Sequence, residues 1–188
     1  MKNFWYKIIF ILVLIAGCKK SPLDKLYYGT ITGLLLNNKP WPRQSDWIYE
    51  ADGYIGAPHL SCTNSLGAVD IHSYTKDKFL RENIALFGLP LQTGKVVFTG
   101  KEDDECHYVP DAIIFLAAEE GDALVGTYAP LHSVENSVTI TSYNSSSGDV
   151  SGTFDITFIK RDLSPGYYSN YTDTVRFSGG QFKTRWIK

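Results

Sequence analysis

The chain is short of the features that helical bundles and most enzymes are built from. It has a single methionine and no stretch of about ten residues with apolar side chains at helical spacing, which argues against a helical bundle. It has no His-x-x-x-His or Cys-x-x-Cys pairing, no Asp-x-Asp-x-Asp-Gly calcium loop and no Gly-x-Ser-x-Gly nucleophile elbow. Basic residues do not predominate: 18 Lys and Arg stand against 20 Asp and Glu, so the basic face that nucleic acid demands is missing. No apolar run approaches the roughly 20 residues that span a bilayer as a helix. Cysteine is scarce too, at three residues.

What is present starts with a targeting segment. Lys2 and Lys7 supply a positive flank, and Ile8 to Ala16 is an uninterrupted apolar run that ends in Ile15-Ala16-Gly17-Cys18. That tetrapeptide resembles the lipobox of bacterial lipoproteins, in which small residues precede a cysteine that is lipidated and becomes the new N-terminus. The resemblance implies a signal peptide over residues 1–17, lipidation of Cys18 and a polar tether over residues 18–25 that includes Pro22. Each buried CH₂ contributes about 0.8 kcal/mol, so three acyl chains anchor far more firmly than one. The expected location is the bacterial cell envelope, at the outer membrane, on its periplasmic or surface face.

The remainder, residues 26–188, has the length of one domain. It is large enough to bury roughly 70% of its unfolded surface. Without Lys2 and Lys7 the 18 basic residues fall to 16 against 20 acidic ones, a formal charge of −4. With Cys18 committed to lipid, Cys62 and Cys106 are left. Outside the cytoplasm two remaining cysteines are expected to pair. Closing that loop would contribute about 4 kcal/mol. Two separate thiols are the alternative.

The strand signals are strong. Ser137 to Lys160 reads as a hairpin: Val138 and Ile140 alternate with threonines, and Val150, Phe154, Ile156 and Phe158 alternate with polar residues, around an Asn144–Asp149 turn. Further strands are expected over Leu26–Leu36, Ala68–Tyr74, Phe79–Phe87, Lys95–Thr99, Asp111–Ala118 and Ala123–Tyr128, with one or two more over Thr174–Trp186. Asp111–Ala118 is apolar on both faces and reads as a central strand. Asn37-Asn38-Lys39-Pro40 is a turn, and Pro42 to Ser65 reads as a long irregular loop with a short strand near Trp47–Tyr49. The fold class is all-β, an antiparallel β-sandwich, with a lipocalin-like up-and-down barrel as the alternative.

Several of these segments together resemble the small lipoproteins of Bacteroidetes whose mature part is one β-rich domain of unknown function. They are Ile31-Thr32-Gly33 followed by Asn38-Lys39 and a Trp, Gly126-Thr127-Tyr128, Val138-Thr139-Ile140, Val150 to Phe154, and Gly180-Gln181-Phe182. The resemblance implies a location and a fold. It carries no catalytic residues.

Candidates for chemistry are few. Asp103-Asp104-Glu105-Cys106-His107 concentrates charge, yet adjacent residues on a strand face opposite ways, so Cys106 and His107 are poorly placed to share an ion. A solvated loop is the simpler reading. His59, His72, His107 and His132 stand alone, with His72 out of phase with Val69 and Ile71 and so on the surface. No catalytic residue, metal or cofactor is expected. Aromatic loops offer more. Tyr167, Tyr168 and Tyr171 on one loop, with Trp41 and Trp47 on another, provide amphipathic contact area at low entropic cost. The expected function is that of a non-catalytic, monomeric envelope lipoprotein whose β domain binds an envelope protein or a glycan. The alternatives are an immunity or inhibitor lipoprotein that plugs a secreted toxin with its Lys101–His107 loop, and a small-ligand carrier.

Overall fold

A computed structural model describes residues 29–41, 48–56, 66–99, 110–117, 123–163 and 172–187. These form twelve strands: β1 (Thr30–Thr32), β2 (Leu35–Leu36), β3 (Lys39–Pro40), β4 (Ile48–Gly56), β5 (Leu66–Tyr74), β6 (Leu80–Leu89), β7 (Gly94–Val97), β8 (Asp111–Ala117), β9 (Leu124–Pro130), β10 (Ser137–Tyr143), β11 (Asp149–Leu163) and β12 (Thr174–Ile187). There is no helix among the described residues, so the chain is all-β.

All twelve strands belong to one hydrogen-bonded sheet: eleven run in the order β3-β2-β12-β4-β5-β6-β8-β9-β11-β10-β7, and β1 pairs β12 beside that path. Pairing is antiparallel throughout except between β12 and β4. The strands expected in two layers thus make one continuous sheet. Its long strand β11 pairs β10 with its first half and β9 with its second, while its other edge carries β12. An up-and-down barrel is not formed. Strand order departs from sequence order at β7, β10 and β12, and the parallel contact of β12 with β4 is limited to Trp186–Gly53 and Ile187–Tyr54.

The sheet wraps one core. Val69 and Ile71 of β5, Ile84 and Leu86 of β6, Ile114 of β8, Tyr128 of β9, Val138 and Ile140 of β10, Ile156 and Phe158 of β11, and Val175 and Phe177 of β12 are at most 1% exposed. Their period-two alternation with polar or half-buried neighbours is the pattern of a strand with one inward face. Each fully buried side chain of this size contributes about 1.5–3 kcal/mol.

The Ser137–Lys160 hairpin is present as β10 and β11, with Ser137–Asp155 and Tyr143–Val150 as its outermost register pairs. Its turn is fixed by Asn144, whose Oδ1 accepts from the backbone N–H groups of Ser146 and Ser147. β8 lies inside the sheet between β6 and β9, the central place expected of it, but Ile113 and Phe115 on its outer face are half-buried and not covered as its apolar pattern suggested.

Two expectations need correction. The stretch from Leu26 to Leu36 is not one strand in its described part, because Gly33 at φ +68° separates β1 from β2. Asn37 and Asn38 follow at φ 50° and 63°, the left-handed pair that closes a two-residue hairpin into β3. The long loop from Pro42 contains a nine-residue strand, β4. Its inward positions are Ala51 and Gly53, small because the end of β12 crosses tightly there. Thr184 Oγ1 donates to Ala51 O at 2.8 Å, and a Cβ on Gly53 would meet Arg185 O at 2.8 Å. A strand with alanine and glycine on its inner face carries no apolar alternation to read.

Candidate functional site

Register places many strand ends at one rim of the sheet. Ile48 at the start of β4 pairs Tyr74 at the end of β5, and Tyr74 pairs Leu80 at the start of β6. Glu82 pairs Leu116 near the end of β8, Ala117 pairs Leu124 at the start of β9, and Gly126 pairs Leu163 at the end of β11. The segment with Trp47 joins the fold at Ile48, and the segment with Tyr167, Tyr168 and Tyr171 joins it between Leu163 and Thr172. Both attach at this rim.

Just inside the rim lies a buried polar group. Ser73 and Glu82 are register partners on β5 and β6, both facing inward, 0% and 9% exposed. Trp41 Nε1 donates to Glu82 Oε2 at 3.1 Å, and Ser73 Oγ donates to the same oxygen at 3.4 Å, a weaker bond by its length. Trp41 follows the β2–β3 hairpin, which is fastened at its root by Trp41 N to Leu34 O at 3.0 Å. The indole stands edge-on to Phe177 of β12, with ring centroids 5.8 Å apart at 87°. Trp41 thus touches β12 and β6, which are separated in the sheet by β4 and β5, and it spans the concave face between them.

Backbone pairing and an asparagine clasp also hold the hairpin. Leu35 and Leu36 pair Ser178 and Phe177. Asn37 clasps Arg176 twice: its N–H donates to Arg176 O at 2.8 Å, and its Oδ1 accepts from Arg176 N at 2.8 Å. On the opposite side of the rim, buried Tyr128 donates its hydroxyl to Thr172 O at 3.2 Å, at the end of the tyrosine-bearing segment. Lys160 and Asp173 pair at 2.6 Å across the same junction, and that carboxylate holds the Lys160 ammonium above its ordinary pKa.

The outermost part of the rim is apolar in places. Phe79, at the foot of the β5–β6 turn, is 46% exposed, and Leu124 at the start of β9 is 57% exposed. Among the described residues no group of three or more His, Cys, Asp or Glu is arranged to hold a metal ion. His132 is exposed in the β9–β10 connection, and His72 is half-buried on the outer face of β5, its ring 5.7 Å from that of Tyr74.

Of the sequence candidates, Trp41 is the one within the described residues, and it is 5% exposed. Its indole is committed to Glu82 and Phe177 and offers no surface to a partner. Trp47, Tyr167, Tyr168, Tyr171, Cys18, Cys62, Cys106 and the Lys101–His107 loop lie outside the described residues. The Glu82–Trp41 contact was not foreseen. Ser73 already carried the inward phase of Val69 and Ile71, but Glu82 sits in Phe79–Phe87, where helix and strand patterns compete.

Comparison with protein-family models, with curated proteins and with solved structures finds no match.

Proposed function

We propose that this chain is a non-catalytic lipoprotein of a bacterial envelope, anchored at the outer membrane through Cys18, whose β domain grips an envelope protein or a glycan at the strand-end rim. The lipobox-like Ile15-Ala16-Gly17-Cys18 supports the anchor. The observation that carries the binding site is that Ile48 and Leu163, the described residues next to the segments bearing Trp47 and the three tyrosines, lie at the rim that also exposes Phe79 and Leu124. Beneath that rim Glu82 accepts from Trp41 and Ser73, a use that favours structure over chemistry for this carboxylate.

The test is capture of envelope components by the lipidated protein. Tyr167→Ala with Tyr168→Ala should reduce capture while Tm stays unchanged. If capture and Tm fall together, the tyrosines belong to the core and the rim is not the site. Fatty-acid labelling should mark the wild type and not Cys18→Ala; an unlabelled wild type with its leader intact would end the anchor reading.

A further inference from the structure

The β5–β6 turn keeps a lysine where the backbone favours glycine. Lys78 N donates to Thr75 O at 2.9 Å, and Thr75 N donates to Phe79 O at 2.9 Å. These bonds define a three-residue hairpin loop: a tight turn followed by one left-handed residue, the position usually given to glycine. Here that residue is Lys78 at φ 67°. A side chain with a Cβ is held there at a conformational cost that glycine would avoid.

Lys76, Asp77 and Lys78 are all exposed. Neither lysine has an ion-pair partner among the described residues, in contrast to Lys95 with Glu135 and Lys160 with Asp173. The tip carries a net single positive charge, with the Phe79 ring beside it, 46% exposed. An exposed aromatic side chain within three residues of two exposed lysines on one hairpin tip suits a sugar polymer that bears carboxylate or sulfate: a sugar ring can stack on the aromatic and the anion can meet the lysines.

We infer that the Lys76–Phe79 tip is a docking point for an acidic polysaccharide. This rests on the reading of the rim as the binding end and narrows its glycan partner to a polyanion. Backbone strain at Lys78 is then the stability cost of presenting a cation where the partner arrives.

The experiment titrates the whole lipid-free domain with polygalacturonate, dextran sulfate and neutral dextran, at low and at 0.5 M NaCl, beside vesicles of anionic phospholipid. The wild type should bind at least one acidic polymer, lose it on adding salt, and ignore neutral dextran. Lys78→Gly should raise Tm by roughly 2–4 °C while weakening the polymer by about three- to tenfold, with Lys76→Gln/Lys78→Gln and Phe79→Ala weakening it without that rise. Binding unchanged in Lys78→Gly, or tight binding to vesicles with none to the polymers, overturns the inference. If the polymers fail while the tyrosine pair still controls capture of an envelope protein, this inference falls and the rim reading stands. If both fail, the rim is not a binding surface.

Discussion

Gly152 of β11 stands opposite Phe182 of β12, and two residues along the same pair Phe154 stands opposite Gly180. Each ring lies over the partner strand's glycine: a Cβ on Gly152 would come within 2.5 Å of Phe182 Cζ, and one on Gly180 within 2.5 Å of Phe154 Cε1. Both phenylalanines are 2% exposed. Two Gly-x-Phe tripeptides thus interlock head to tail on the two longest strands of the sheet. Gly152→Ala or Gly180→Ala has to displace a buried ring, and each is expected to cost about 1–3 kcal/mol. The urea midpoint reads this directly; an unchanged midpoint would mean the rings have room to shift.

The Trp41–Glu82 contact predicts a coupling. Trp41→Phe keeps an aromatic edge against Phe177 but removes a donor from a buried carboxylate, a loss of about 1–3 kcal/mol. Glu82→Gln retains an acceptor oxygen and should cost less. In a double-mutant cycle of Trp41→Phe with Glu82→Leu, which removes the acceptor, the pair should couple by more than about 0.5 kcal/mol. Strict additivity would show that the β2–β3 hairpin is held by Leu34 and Leu36 instead.

Acid should act through the turn of the central hairpin. Hydrogen bonds from Ser147 and then Arg185 hold the Asp149 carboxyl below its ordinary 3.8, against a smaller opposing effect of burial. A depressed folded-state value stabilises above the unfolded value and is lost as pH falls through the folded one. Tm measured downward from pH 5 should therefore drop less in Asp149→Asn than in the wild type, and the difference should shrink in high salt. Parallel acid profiles for the two proteins would remove Asp149 from the account.

Lys160 has the opposite sign. The hydrogen bond from its ammonium to Asp173 raises its pKa above 10.5. Its contribution is complete below 10.5 and disappears as pH rises through the raised value. Lys160→Met should flatten the alkaline limb of the stability curve; an alkaline limb unchanged by the substitution would contradict the pairing.

Tyr128→Phe deletes the hydroxyl that reaches Thr172 O. The expected cost is about 1 kcal/mol, with faster amide exchange at Thr174 to Arg176 where β12 begins. Exchange unchanged there would mean that the hydroxyl does not fix the junction.

Much of this was legible along the chain. Val138, Ile140, Val150, Phe154, Ile156 and Phe158 announce β10 and β11 because one buried face imposes period two on the sequence. Asn37-Asn38 announces a turn because few residues other than glycine tolerate the left-handed backbone it uses. β4 was hidden, since Ala51 and Gly53 answer to Thr184 and Trp186, more than 130 residues away, and to nothing nearby in sequence. Trp41 was misread as a contact residue for the same reason. Its environment is set by Glu82 and Phe177, and aromatic composition alone does not separate a core indole from a surface one.

The amino-acid order by itself determined that this chain is strand-built, where its main hairpin turns, and which side of each regular strand faces inward, because those properties follow from local backbone preference and alternation. Only the tertiary structure decided that the strands make one continuous sheet seamed at β12, that an indole from the first hairpin rests on a carboxylate of β6, and that the ends of β4, β5, β6, β8, β9 and β11 meet at one rim. Those depend on register between segments far apart in the chain, and a pairing of that kind leaves its mark on two distant stretches only once they are placed side by side.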